Sequence, residues 1–250
     1  MPGRSATRLG TGAIALMTLT VGLMHAPVAM ASTAETCNPP QPPPLPPPQH
    51  FVSQVTNAYF PLVPGTTYFY FGNEGTDRVF DTVTVTHGTK VILGVTATVV
   101  VDVVVVNGQP SERTQDWYAQ DDQGNVWYLG EAAFDFEQGH WVRADDSWQA
   151  GRDGAQAGYL MEAHPQVGDA YTQEDYVGHA QDMAQVLSTD AVVHVPYGTF
   201  HDAVFSKECT PLEPGVVDIK YYALGFGEVS EATARGGSAE LQLVDVRTGG

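Results

Sequence analysis

Four ionisable side chains have types and spacing suited to acid and base catalysis. Asp116 and Glu131 bracket the stretch "WYAQDDQGNVWYLG", and Glu174 and His179 follow further along the chain. A carboxylic acid paired with a carboxylate can cleave a glycosidic bond, and neighbouring tryptophans favour sugar binding. We therefore predict these four residues as candidate catalytic groups. The same residue types also fill ordinary β cores and acidic surfaces, so both interpretations stay open.

The loop inside that stretch does not match a calcium-binding loop. An EF-hand loop that started at Asp121 would need glycine at its sixth position and glutamate at its twelfth, but Val126 and Ala132 stand there. A short loop with aspartate, glycine and asparagine between aromatic segments instead predicts a β-hairpin.

Strand alternation then assigns side chains to faces. With a period of two, Trp127, Leu129 and Glu131 share one face of the second strand. If that face is internal, Glu131 lies at the wall of a cavity, where a carboxylate needs a partner or has a raised pKa. If Glu131 lies at a solvated strand end, it needs neither.

Two histidines could form half of a metal site. His194 and His201 flank "VPYGTF", and a two-residue turn at Tyr197 and Gly198 would place them opposite each other on paired strands. Zinc or copper would need further ligands, for which Asp202 or Asp218 are candidates. A solvent-facing pair of histidines is the alternative.

A second candidate metal region contains His179, Asp182 and Met183. Imidazole with thioether favours copper, whereas the carboxylates of this region favour calcium. Methionines in β proteins also fill irregular gaps in the core. The cofactor therefore stays unknown, with a divalent metal ion as one candidate.

Aromatic side chains are the candidates for binding an apolar ligand. Small-molecule sites are usually apolar concavities with a few polar groups. We predict that such a cavity is lined by Trp117, Trp127, Tyr128, Trp148 and Tyr222.

The elements that position these residues are predicted to be β-strands. Segments such as "RVFDTVTVT" and "KVILGVTATVVVDVVVVNG" are rich in β-branched residues and end at glycine, proline or asparagine, with Gly94 as a bend. Only "EDYVGHAQDMAQVLS" could be helical. We predict a mostly β protein with little helix, an antiparallel barrel or half-barrel of about ten strands.

Three segments are predicted along the chain. Residues 1–31 read as a secretory signal peptide, residues 32–58 as a proline-rich N-terminal arm, and residues 59–250 as a single β domain. Cys37 and Cys209 are the only cysteines, and in an exported protein they are candidates for a disulfide that ties the arm to the domain. Two free thiols are the alternative.

Composition limits the partners. The formal net charge of -18 argues against nucleic acid and anionic membranes, and no segment reads as a membrane insertion. We expect a secreted, extracellular protein whose partner is a small molecule or a glycan. The oligomeric state is not determined by the sequence.

Several motifs resemble those of secreted bacterial β-rich proteins of unassigned function. They are the Pro-Gly opening in "YFPLVPGTTYFY", the hairpin "WYAQD", the turn "YGTF" and the ending "KYYALGFGEV", which departs from the family pattern at Leu224. The resemblance covers most of the chain from Tyr59. It implies a curved antiparallel sheet or half-barrel that holds an apolar ligand.

Three functions follow as hypotheses. The first is an exported, non-catalytic protein that binds a small apolar or aromatic ligand or a metal ion. The second is a secreted carboxylate-dependent hydrolase or lyase acting on a glycan or another small extracellular substrate, although no Gly-x-Ser-x-Gly, His-Glu-x-x-His or phosphate-binding loop is present. The third is a surface protein carried on a proline stalk.

Overall fold

A computed structural model describes residues 37–249 of the chain. The predicted signal peptide lies outside the described residues. The strands are β1 (Thr56–Asn57), β2 (Phe60–Pro61), β3 (Thr66–Glu74), β4 (Asp77–Ile92), β5 (Val95–Val106), β6 (Gln109–Gln120), β7 (Val126–Glu131), β8 (Phe134–Glu137), β9 (His140–Arg143), β10 (Trp148–Gln149), β11 (Gln156–Met161), β12 (Ala170–Thr172), β13 (Glu174–Asp175), β14 (Met183–Val195), β15 (Gly198–Cys209), β16 (Val217–Ala223), β17 (Gly227–Arg235) and β18 (Ala239–Thr248). A single 3-10 turn at Pro48–His50 is the helical structure among these residues.

Most strands form one antiparallel sheet. Its order is β12-β14-β15-β16-β17-β18-β3-β4-β5-β6-β7-β11-β13, while β8, β9 and β10 extend its side and β1 pairs with β2. The two ends of this order approach each other where Gly158 of β11 lies against the backbone of Thr172 in β12. The sheet is therefore nearly closed as a barrel, as predicted, with more strands than the ten expected.

Side chains alternate along each strand between the inner and the outer face of the sheet. In β3, Tyr68 and Tyr70 are buried while Phe71 is 43% exposed, and in β4 and β5 the residues Val85 and Val100 are almost fully buried. Alternate side chains along a strand point to the same face of the sheet. The apolar side chains of the inner face therefore pack together in one core.

Two of the local predictions from the sequence are confirmed and one is wrong. Strands β6 and β7 form the predicted hairpin, and Gly94, with φ +83°, makes the predicted bend between β4 and β5. The candidate helix is wrong: its residues form β13, a turn and the start of β14. The backbone N–H and C=O groups of β14 form hydrogen bonds with β12 and β15. This strand pairing outweighs the weak helical propensity of the segment.

The described part of the proline-rich arm lies on the barrel. Cys37 and Cys209 form the predicted disulfide, 172 residues apart in sequence. Pro40 accepts a hydrogen bond from the Thr172 hydroxyl, and the Val52 amide donates to the Gln120 carbonyl. The arm is thus fixed at several points between its disulfide and β1.

No helix within residues 37–249 has the length and apolar character needed to cross a membrane.

Candidate functional site

A cavity of about 110 Å³ lies inside the barrel. We call it the inner cavity. Its lining combines apolar and aromatic side chains with acidic ones. The apolar lining is Phe60, Pro61, Leu62, Tyr68, Tyr70, Val83, Val85, Val100, Tyr118, Phe226 and Leu241, and the polar lining includes Asp81, Asp102, Thr114, Asp116, Glu131, Glu228 and Glu231.

Asp116 and Glu131 meet at one phenol. The Tyr128 hydroxyl donates to Asp116 Oδ1 at 2.6 Å and lies 3.1 Å from Glu131 Oε2. Burial raises the pKa of Asp116 to about 6, and burial with the neighbouring Asp116 charge holds the pKa of Glu131 well above its usual range. The two groups therefore differ in acidity, with Glu131 held further from its ordinary pKa by the Asp116 charge, as is expected of close carboxylates.

A bulge brings these two carboxyl groups together. Asp116 pairs with Glu131 and Tyr118 with Tyr128, so β7 has one extra residue between the two pairs. Gly130 occupies the bulge with φ +129°, and a Cβ there would lie 2.5 Å from the Trp148 carbonyl oxygen. Only glycine fits this conformation without a clash.

The bulge also corrects the predicted faces. Strict alternation grouped Glu131 with Trp127 and Leu129, but the structure places its carboxylate beside Tyr128. The extra residue reverses the parity of β7 after Leu129. Glu131 is buried and lines the inner cavity, so it does not lie at a solvated strand end.

A second carboxyl pair lies on β4 and β5. Asp81 is 7% exposed, and Oδ1 of Asp81 and Oδ1 of Asp102 are both buried without a hydrogen-bond partner among the described residues. Burial, and then the Asp81 charge, hold the pKa of Asp102 well above its usual range, and burial also raises the pKa of Asp81. After burial, a side-chain hydrogen bond between the two groups lowers the pKa of Asp81 and raises that of Asp102, so Asp81 is the more readily ionised member of the pair. Asp81 lines the inner cavity.

Lys220 is a cation in the same interior. It is 2% exposed, and its Nζ lies 3.5 Å from Glu208, 3.5 Å from Glu228 and 3.6 Å from Glu231. Burial alone lowers the pKa of Lys220, but the three glutamates raise it well above its usual value. Its charge is therefore already shared among three carboxylates.

Glu174 and Asp182 form a third acidic pair outside the inner cavity lining. Trp148 Nε1 donates to Glu174 Oε1 at 3.0 Å. Burial and the Asp182 partner hold the pKa of Glu174 well above its usual range, and burial raises the pKa of Asp182 to about 6. The fourth catalytic candidate, His179, is exposed, stacks on Tyr176 and contacts the Asp145 carbonyl. Of the four candidates, the inner cavity combines Asp116 and Glu131.

The five aromatic residues predicted to bind ligand do not line the inner cavity. Trp127 is fixed between Phe51 and Tyr159, and its Nε1 donates to Asp121. Tyr128 lies behind the carboxyl pair, and Tyr222 donates to Glu208 at 3.0 Å. Trp117 and Trp148 line another cavity, described below. Four of the five side chains, all but Trp117, instead donate a hydrogen bond to a neighbouring carboxylate.

The predicted histidine pair is also wrong. His194 pairs with Thr199, and its Nδ1 lies 2.8 Å from the Thr199 hydroxyl. The turn falls at Pro196 and Tyr197, one residue earlier than predicted, so exposed His201 is not opposite His194. Asp182 and Met183 do not join His179 in a ligand set, and within residues 37–249 no group of three or more His, Cys, Asp or Glu is arranged to hold a metal ion.

Several residues of the inner cavity were not predicted. Asp81 and Asp102 are single acidic residues inside apolar strand segments, "RVFDTVTVT" and "VVVDVVVV". A lone carboxylate amid buried valines is a signal that could have identified both. Tyr68 and Tyr70 share a face by simple alternation. Glu228 had no local signal, because the curved sheet that runs from β17 through β18 and β3 to β4 places it there.

Comparisons with known proteins show weak structural similarity. No protein-family model matches the chain, and no curated protein matches its sequence. A Bacteroides fragilis protein, named as exported and as having a YmcC-like fold, aligns at 15% identity over 76% of this chain and 98% of its own, with a TM-score of 0.47. A Parabacteroides distasonis protein, named as a lipoprotein, aligns at 11% identity over 76% of this chain and 99% of its own, with a TM-score of 0.42. Similarity at this level assigns no function.

Proposed function

We propose that the protein is an exported, non-catalytic barrel whose inner cavity binds a small organic cation. The observation that carries this proposal is the Asp81 carboxylate, which is buried at the cavity with an oxygen that has no partner among residues 37–249. A buried polar atom without a partner is costly, and a buried charge is more so. A cationic ligand would supply both the hydrogen bond and the counter-charge.

The charge balance of the interior supports a cation. Asp81, Asp116 and Glu228 face the cavity, and the pKa shifts described above show that these acidic groups repel one another's ionised forms. Lys220 already contacts three glutamates. A positive ligand charge would therefore be stabilised by carboxylates that burial has deprived of water.

The apolar wall favours an organic cation over a bare metal ion. Tyr68, Tyr70, Tyr118 and Phe60 present aromatic surface to the same space. Aromatic faces attract ammonium groups and bury an attached hydrocarbon. A calcium ion would instead need about six to eight oxygen ligands around it.

The volume limits the size of the ligand. The cavity of about 110 Å³ is smaller than the engineered apolar cavity of about 150 Å³ that admits benzene. We therefore propose a ligand smaller than a substituted aromatic ring, such as a short alkylammonium.

A carboxylate-dependent enzyme is the second candidate function. The Asp116 and Glu131 pair favours it, because the two carboxyl groups contact the same phenol and burial raises the pKa of both. Divergence of two pKa values is how acid and base roles are divided in active sites. The glycan substrate proposed from the tryptophans has less support, since the inner cavity is lined by tyrosine and phenylalanine.

Calorimetric titration tests the proposal with matched charged and neutral probes. We expect n-butylammonium or tetramethylammonium to bind, and n-butanol to bind at least tenfold more weakly. Asp81→Asn should abolish the preference for the cation, whereas Glu137→Gln, at an exposed position in β8, should not. Equal binding of amine and alcohol, or equal effects of the two variants, would contradict the proposal. Calcium bound in place of the amines would favour the metal hypothesis.

A further inference from the structure

A second cavity, of about 200 Å³, opens on the outer side of the wall formed by β6 and β7. We call it the outer cavity. Lys90 of β4, Trp117 of β6, Trp148 of β10 and the cations Arg143 and Arg152 line it. Trp117 lies between Asp116 and Tyr118, which line the inner cavity, so the two cavities occupy opposite faces of one strand.

Positive charge is concentrated there. The chain has 11 lysines and arginines against 29 acidic residues, yet three cationic residues line the outer cavity beside one acidic residue, Asp153. Burial lowers the pKa of Lys90, and the Arg152 and Arg143 charges lower it further. The three cations thus destabilise one another in the absence of an anion.

The floor of the cavity carries an unsatisfied donor. Trp117 is 3% exposed, and its buried Nε1 has no hydrogen-bond partner among the described residues. The Lys90 ammonium lies 3.0 Å from the centre of the Trp117 ring. Ammonium, guanidinium and indole groups are all donors without acceptor atoms, so an acceptor-rich ligand complements them.

We propose that the outer cavity binds a small oxyanion, of the carboxylate or phosphate class. Guanidinium groups recognise both classes through paired N–H donors. The indole surfaces of Trp117 and Trp148 would contact an apolar or planar part of the same ligand. This site is independent of the inner cavity, since it uses the opposite face of β6.

Tryptophan fluorescence tests the inference, because Lys90 touches the Trp117 ring. Benzoate and inorganic phosphate are titrated separately into the full-length protein at low ionic strength. We expect a saturable change with at least one of them, and the effective probe identifies a planar or a tetrahedral oxyanion. Methanesulfonamide, a neutral compound with sulfonyl oxygens, should not bind.

Three variants distinguish specific binding in the outer cavity from nonspecific electrostatic attraction of anions to the protein. Arg152→Gln, at an exposed position, should weaken binding at least tenfold and leave the fold intact. Arg247→Gln removes a 71% exposed arginine elsewhere on the sheet and should leave binding unchanged. Asp81→Asn, in the inner cavity, should also leave it unchanged. No saturable change with either anion, or equal losses in Arg152→Gln and Arg247→Gln, would overturn the inference.

Discussion

The inner and outer cavities differ in the sign of charge that they gather, although they are separated by one layer of sheet. The inner cavity brings together carboxyl groups that are buried with Lys220 among them, and the outer cavity brings together Lys90, Arg143 and Arg152 at a partly exposed surface. Like charges that lie close together repel one another and destabilise the folded state. Such clusters are common in binding sites, where a ligand of opposite charge offsets the repulsion. The net charge of the chain conceals both arrangements.

Removal of the buried Lys220, which contacts Glu228 and Glu231 of the inner cavity, and of Lys90 in the outer cavity should show the largest contrast. Lys220→Met leaves three carboxylates near an empty cationic position, and we expect a loss of about 3–5 kcal/mol of unfolding free energy. Lys90→Met should cost less than about 1 kcal/mol, because Lys90 is partly exposed and is repelled by two arginines. Urea denaturation at pH 7 measures both, and equal losses would remove the distinction between the cavities.

Breaking the bulge should affect both faces of the wall. Gly130→Ala meets a positive φ and a backbone oxygen, and we expect a loss of about 2–4 kcal/mol. Gly108→Ala is the control, since Gly108 also has positive φ but has no atom within 4 Å of an added Cβ, and its cost should be about 1 kcal/mol. Urea denaturation of the two variants checks the difference, and a cost no larger at Gly130 would contradict the proposed role of the bulge.

The acidic interior should make the protein more stable in mild acid. The pKa of Asp116 is about 6 in the folded state against an ordinary 3.8, so the folded protein binds more protons between these pH values. Stability from this group is complete below about pH 4 and is lost as pH rises through 6, by up to about 3 kcal/mol. Glu231, with a pKa of about 8, extends the loss to higher pH.

The variant Asp116→Asn isolates that contribution. Its unfolding free energy should fall less between pH 4.5 and pH 8 than that of the native protein, because an amide does not titrate. Denaturation curves at the two pH values provide the measurement. Identical pH dependence in variant and native protein would show that Asp116 titrates normally.

Removal of the phenol hydroxyl should have the smallest effect. Tyr128→Phe removes a donor to Asp116 and a contact of Glu131, and we expect a loss of about 1–2 kcal/mol. The pKa of Asp116 should rise further, because the Tyr128 hydrogen bond lowers it. Carboxyl titration by NMR checks this shift, and Tyr221→Phe, on another part of the sheet, is the control.

Local sequence patterns predicted most of the strands and several turns, but they missed β13 and misplaced the turn between β14 and β15 by one residue. Alternating β-branched segments indicated an antiparallel barrel, and the loop at residues 121–125 and the bend at Gly94 were predicted from turn residues. The pairing of Cys37 with Cys209 was predicted because they are the only cysteines. These features depend on neighbours in sequence or on residue counts, which the sequence displays directly.

The candidate site was predicted only in part. Asp116 and Glu131 were recognised as candidates, but their common partner Tyr128 depends on a bulge that strict alternation does not anticipate. The five chosen aromatic residues were selected by type, and residue type does not show which face of a curved sheet is internal. The histidine pair failed because the turn moved by one residue, which changes every pairing beyond it.

The sequence by itself determined the β-strands, their hairpins and the acidic composition, because side-chain period and turn chemistry are local properties. The tertiary structure decided which charged side chains lie together in each cavity. Curvature of the sheet from β17 through β18 and β3 to β4 brings Glu228 and Asp81 to one cavity. Alternation along β6 assigns Trp117 and Asp116 to opposite faces. These neighbours are set by sheet curvature, register and one bulge, which arise from packing between residues distant in the chain.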